Sequence, residues 1–239
     1  MMRDRLARRA APVLAQIKEH PFWEGLRRGT LAPEVLRRFA EQDAHHVVPS
    51  YARALARCAA LADDDAHGEL LAQASAATFG SLPRLHTQLA ALPPSRDDEP
   101  PAGGDEPPDR TDSGRRLGGA GGGVGGWAAY CSLMLAAPES GFAAGVGALL
   151  PMTWFHLEVG EDLRARYARD ARYAGWIEAY LPDPGFFPGY VDAFIAMVDE
   201  VGETASDGAR ELLEQFFGRA ARLEWEFVDF VWRANASPK

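Results

Sequence analysis

Cysteine is scarce in this chain of 239 residues: only Cys58 and Cys131 occur, too few for a disulfide framework, and a reducing, cytoplasmic setting is the simpler expectation. A basic excess is missing as well. The formal net charge is −9 with a pI near 5.2, which argues against nucleic-acid and membrane-surface partners, since both need a basic face. Period-two alternation is absent and β-branched residues are sparse, so half-buried strands are not expected. No apolar run reaches the roughly 20 residues that span a bilayer; the longest, 127–137 and 141–155, read as buried helices. Near the N-terminus Arg3, Arg5, Arg8 and Arg9 are interspersed with Asp4, with no continuous apolar stretch behind them, which is unlike a secretory signal. The glycine-rich run at 118–126 is not followed by Gly-Lys-Ser/Thr, so it is no phosphate loop.

What is present favours helix. Leu, Ala, Arg and Glu dominate, hydrophobic residues make up 47%, and the pattern predicts an all-α protein of about eight or nine helices. Leu6, Val13, Leu14 and Ile17 share one helical face. A break at His20-Pro21 precedes a short helix over 22–28 ended by Gly29. Thr30 is the expected cap of a long helix from Pro33 to about Leu61, kinked at Pro49. Asp63–Asp65 open the next, which runs to about Leu92 with a second kink at Pro83. Residues 94–126, with two Pro-Pro pairs and the glycine run, cannot bury a core and read as a flexible loop inside a single domain of residues 1–239. A linker between two domains, or a lid over a pocket, are the other readings of that stretch. Helices are expected again over 127–137, 141–169, 172–180, 187–201 and 206–233, the last capped by Ser206.

Several polar residues stand in apolar company. Asp43 and His46 are three apart in Gln42-Asp43-Ala44-His45-His46 and should share a helical face, either partly buried or as an ordinary solvated pair. Met152 and His156, four apart, share a face of a strongly apolar helix, where a lone histidine is more often a satisfied core residue and methionine is core filler. Glu158 need not share that face. Glu224 lies among large aromatics in Leu223-Glu224-Trp225-Glu226-Phe227; it marks either an amphipathic edge or a buried carboxyl with a raised pKa, fit for general acid–base work. Tyr130 and Tyr180 read as packing residues. Neither cysteine has local activation signals, Cys58 reading as core, although Cys131 lies close to a helix start.

These segments, in this order, resemble the TenA (thiaminase II) family. Leu149-Leu150-Pro151-Met152-Thr153-Trp154-Phe155-His156-Leu157-Glu158-Val159-Gly160 resembles its Leu-Leu-Pro-Cys-x-Trp-x-Tyr-x-Glu-Ile-Gly helix. His20-Pro21-Phe22 through Leu31, Gln42-Asp43, Ala129-Tyr130, Trp176-Ile177-x-x-Tyr180 and Leu223-Glu224-Trp225-x-Phe227 resemble further segments of it. The resemblance implies a heme-oxygenase-like multi-helix bundle, a role in salvage of the thiamin pyrimidine, no cofactor, and a homo-oligomer, tetramer or dimer. It implies catalytic roles for Glu224 and Tyr180, and substrate contacts from Asp43, His46, Tyr130, Met152 and His156. In particular Asp43 would hold the aminopyrimidine and Tyr130 would stack near its ring.

The departures fall in the pocket. Met152 stands where the family's nucleophilic cysteine is expected, and His46 and His156 where it has tyrosines. A thioether cannot serve as the nucleophile. The expectation is therefore cysteine-independent acid–base hydrolysis of an amino or formylamino substituent on an aminopyrimidine. The alternatives are a non-catalytic aminopyrimidine-binding protein, or a di-metal oxidase with Asp43, His46, His156 and Glu224 as ligands. Against the latter, no Glu-x-x-His pair is repeated.

Overall fold

In the computed structural model, residues 1–92 and 126–234 are described. They form ten α-helices and no strand, an all-α bundle. In chain order these are α1 (Met2–Lys18), α2 (Pro21–Arg28), α3 (Pro33–Gln42), α4 (Val48–Leu61), α5 (Asp65–Ala90), α6 (Gly126–Ala136), α7 (Phe142–Arg166), α8 (Ala174–Tyr180), α9 (Phe187–Thr204) and α10 (Asp207–Arg233). The Pro/Gly-rich stretch expected at 94–126 lies, but for Gly126, outside the described residues.

Local chemistry sets most of the boundaries. Gly29 ends α2 in the left-handed region at φ 71°, where a Cβ would be strained. Asp64 caps α5 by accepting from the N–H groups of Ala66 and His67. Ser206 caps α10 through Ala209 N–H. Thr30 does not cap α3: Ala32 occupies that position with no side-chain bond, and Pro33 begins the helix with no N–H to satisfy. α5 runs unbroken through Pro83, and α7 stops at Arg166, three residues short of the expected end.

The expected long helix from Pro33 to Leu61 is divided by a π-helical turn, Asp43–Val47, immediately before α4. Pro49 has no N–H to offer the carbonyl of His45, so the regular ladder fails there, and the chain widens by one turn of π geometry, common at functional sites. That turn has consequences for the site.

α7 is the central helix, buried for most of its length and packed chiefly against α10. By length and composition alone it is apolar enough to cross a membrane, yet 67% of its most apolar stretch is covered by the rest of the bundle. Small residues permit the close approach. A Cβ on Gly147 would collide with the carbonyl oxygen of Leu213 on α10. Gly147→Ala is expected to cost about 1–3 kcal/mol, because backbone has to move. Gly80→Ala, in open space on α5, is expected instead to add about 0.5–1 kcal/mol. Denaturant titration of the two variants checks the pair.

Candidate active site

A cavity of about 760 Å³ opens between α3, α4, α5, α7, α9 and α10. At one end two carboxyls line it. Asp43 comes from the π turn and Glu224 from the middle of α10. Both are half-buried, and burial pushes each up to about 7. For Glu224 the charge of Asp43 adds to the rise, and a hydrogen bond from Tyr130 opposes it. Two carboxyls within electrostatic reach, each near neutrality, can hold one proton between them at neutral pH and move it to or from a bound molecule.

Aromatic rings enclose this end. Tyr180 stacks on Trp176 with centroids 5.0 Å apart and planes 12° off parallel, and lies 5.8 Å from the Trp23 ring and 6.2 Å from that of Phe39. Phe39 in turn meets Phe227 at 5.3 Å. Burial, with the charges of Asp43 and Glu224, raises the Tyr180 phenol well above its ordinary range, so it stays protonated and is a donor. His156 lines the same cavity and pairs its Nδ1 with the Tyr180 hydroxyl at 3.2 Å. Its ring stands edge-on to Tyr180 and to Phe187. Burial, aided by the charge of Arg84, lowers His156 to about 4, so the imidazole is neutral at pH 7. Met152, one turn before it, lines the cavity too.

Two residues expected at the substrate sit elsewhere. His46 is exposed and stacks on Trp127, centroids 4.2 Å apart, and does not line the cavity. The expected shared face with Asp43 assumed a regular α-helix; a π turn takes more residues per revolution, so three residues fall further short of a full turn and His46 swings outward. Tyr130 is fully buried behind the cavity wall, and instead of stacking on a ring it donates from its hydroxyl to Glu224 Oε1 at 2.6 Å. Of the four side chains considered as metal ligands, His46 is thus apart from the other three, and among the described residues no three His, Cys, Asp or Glu side chains gather as a metal site. Glu158, off the shared face of Met152 and His156, pairs with Lys18 at 2.6 Å.

Neither thiol replaces the missing nucleophile. Cys58 and Cys131 are buried and outside the cavity lining. Burial pushes Cys58 up to about 12 and also raises Cys131, the opposite of activation.

The sequence reading missed Tyr51, Thr153 and Tyr190. The Tyr51 hydroxyl bonds the Thr153 hydroxyl on the cavity wall, with the Tyr190 hydroxyl turned toward the same pair. Thr153 follows Met152 and was within reach of the helical pattern. Tyr51 and Tyr190 carry no motif, and only the packing of α4, α7 and α9 brings them together.

The architecture and this acid, aromatic-lined cavity define the class: an all-α bundle of the TenA type. Residues 7–91 match the family model described as TENA/THI-4/PQQC family. The aminopyrimidine aminohydrolase of Bacillus subtilis (strain 168) is 26% identical over 215 residues, spanning 90% of this chain and 82% of that protein. The aminopyrimidine aminohydrolase of Halalkalibacterium halodurans is 35% identical over 107 residues, 44% of this chain and 47% of that one. In fold the chain is similar to the TenA homologue of P. horikoshii OT3, with a TM-score of 0.70 at 21% identity, over 98% of this chain and 99% of that one. By the family model over residues 7–91, by both of these relatives and by its fold, the chain is similar to the TenA/thiaminase II family.

Proposed function

We propose that this protein hydrolyses an amino or formylamino substituent of a thiamin-derived aminopyrimidine, by acid–base chemistry without a cysteine. The observation that carries the reading is the pair Asp43 and Glu224, both facing one aromatic-lined cavity and both poised near pH 7. The two curated relatives named aminopyrimidine aminohydrolase support the substrate class.

Asp43 accepts from the amidine-like edge of the ring in a charge-assisted pair. Trp23, Phe39 and Phe227 cover the ring faces. Glu224, oriented by Tyr130, takes a proton from the attacking water and returns it to the departing nitrogen. Tyr180, held by neutral His156, donates to the charge that develops on the substrate. Met152 contributes surface without nucleophilicity, and the reaction runs by direct attack of water.

Incubating the protein with 5-aminomethyl- and 5-formylaminomethyl-4-aminopyrimidines is the test. Ammonia or formate should be released, with a pH profile breaking near 7. That break belongs to the coupled Asp43–Glu224 pair and not to either residue alone. Binding of these compounds without turnover would replace this reading by the non-catalytic aminopyrimidine-binding one.

A further inference from the structure

The cavity is longer than its acid end requires. Its volume of about 760 Å³ falls in the range of pockets that hold drug-sized ligands, about 300–1,000 Å³. It follows α5 from Leu70 to Leu85, about 22 Å along the helix axis.

The direction of that length can be read from the helix register. α4 and α5 are antiparallel: His45 stacks on His86 at 5.1 Å, and Ser75 donates to the carbonyl of Ala52 at 2.8 Å. Asp43 is therefore level with His86 to Gln88, and Ala74 lies about 20 Å further on. α9 also runs antiparallel to α5. Gln88 donates at 2.8 Å to the carbonyl of Ala179 at the end of α8, the helix that precedes α9, and His67 pairs with Glu200 at 2.9 Å near the end of α9. Between these pins the helices stand apart. The slot between them is edged by small residues, Ala74 and Ala77 on α5 and Gly189 and Ala193 on α9.

Two features define what this slot takes. Among the described residues no charged side chain lines its far part; the charged residues of the cavity, Asp43, Arg84, Asp183 and Glu224, belong to the other end or to the segment between α8 and α9. The polar side chains of α5 are tied down locally, Gln73 to Glu69 and Thr78 to the carbonyl of Ala74. The Tyr51 and Thr153 hydroxyls, bonded to each other, and the Tyr190 hydroxyl, buried without a hydrogen-bond partner among the described residues, belong to residues that line the same cavity, neutral donors suited to a neutral oxygen.

We propose that the substrate is an N-acyl aminomethylpyrimidine: its ring at Asp43, its amide carbonyl at the Tyr51–Thr153–Tyr190 hydroxyls, and an apolar acyl chain of several carbons along the α5–α9 slot. The water oxygen bonds to the acyl carbon, the acyl C–N bond breaks, and the proton lost by water goes to the nitrogen. The products are a carboxylic acid and the aminomethylpyrimidine, with no change of oxidation state. This rests on the function proposed above for the acid end.

The test is a series of N-formyl, N-butanoyl, N-hexanoyl and N-octanoyl aminomethylpyrimidines, measured for kcat/KM with the intact protein and for Kd with Glu224→Gln. kcat/KM should rise and Kd fall about two- to fourfold per CH2 until the slot is filled. Ala77→Leu and Ala193→Leu, which narrow the slot, should flatten that dependence. The readout is the slope within each variant, so a general loss of fold or activity does not mimic it. Hydrolysis of the formyl compound with no gain, or a loss, on lengthening overturns the slot assignment and leaves the function standing. Tighter binding with chain length but no hydrolysis of any member overturns the function and leaves the slot standing. A flat Kd series without turnover overturns both.

Discussion

Glu224→Gln is expected to lower kcat by about 10²–10⁴-fold, the usual contribution of a positioned general acid–base group, with Kd for an aminopyrimidine changed little. Gln keeps the shape and still accepts the bond that Tyr130 donates to Oε1; it cannot carry a proton between water and the leaving nitrogen. Unchanged turnover would remove Glu224 from the chemistry. The same variant has an opposite effect on stability. Glu224 is raised to about 7 in the folded protein, chiefly by burial, against about 4.3 in an unfolded chain. Between those values the native state holds a proton that the unfolded state has released, so folding stability falls as pH rises through this window. Gln does not titrate. The variant should match the parent near pH 4 and exceed it by on the order of 3–4 kcal/mol above pH 7. His156 has the reverse dependence, losing stability as pH falls from about 6.5 toward 4, but it is common to both proteins and cancels in the difference. Chemical denaturation from pH 4.5 to 8 measures the gap; a gap independent of pH would show that Glu224 is not desolvated.

Arg27→Ala is expected to cost about 3–5 kcal/mol, the loss typical of breaking a buried ion pair from one side. Arg27 is 4% exposed and ties three segments together. Its guanidinium donates to Asp162 on α7 at 2.5 Å, to Glu24 at 2.8 Å and to the carbonyl of Lys18 at 3.1 Å. Removing it leaves the Asp162 carboxylate, 13% exposed, with the half-exposed Arg166 as its one remaining ion-pair partner among the described residues. Lysine should rescue poorly, since one ammonium cannot reproduce a planar fork aimed at three acceptors. The effect should reach the site as well. α2 carries Trp23, which lines the cavity beside Tyr180, so KM should rise more than kcat falls. Melting and denaturant curves read the first effect, steady-state kinetics the second. A loss under 1 kcal/mol would mean that the network is solvated.

Much of this protein is legible along the chain because it is local. The helix ends at Gly29, Asp64 and Ser206 follow from backbone freedom and capping within a few residues. The shared face of Met152 and His156 follows from spacing within a regular helix, and both line the cavity. Asp43 and Glu224 stood out as carboxyls in apolar surroundings, and the family resemblance rested on short segments in order.

The sequence by itself thus determined the all-α class, most helix ends and the two carboxyls worth testing, since each depends on neighbours within a turn or two. Tertiary structure decided the rest. The π turn before Pro49 moved His46 outward and aimed Asp43 inward, a change of helical pitch that periodicity alone does not register. Packing of α6 against α10 made Tyr130 the support of Glu224, across 94 residues of chain. The poise of both carboxyls near 7 arises from desolvation, which exists only once α3, α7 and α10 have closed around them.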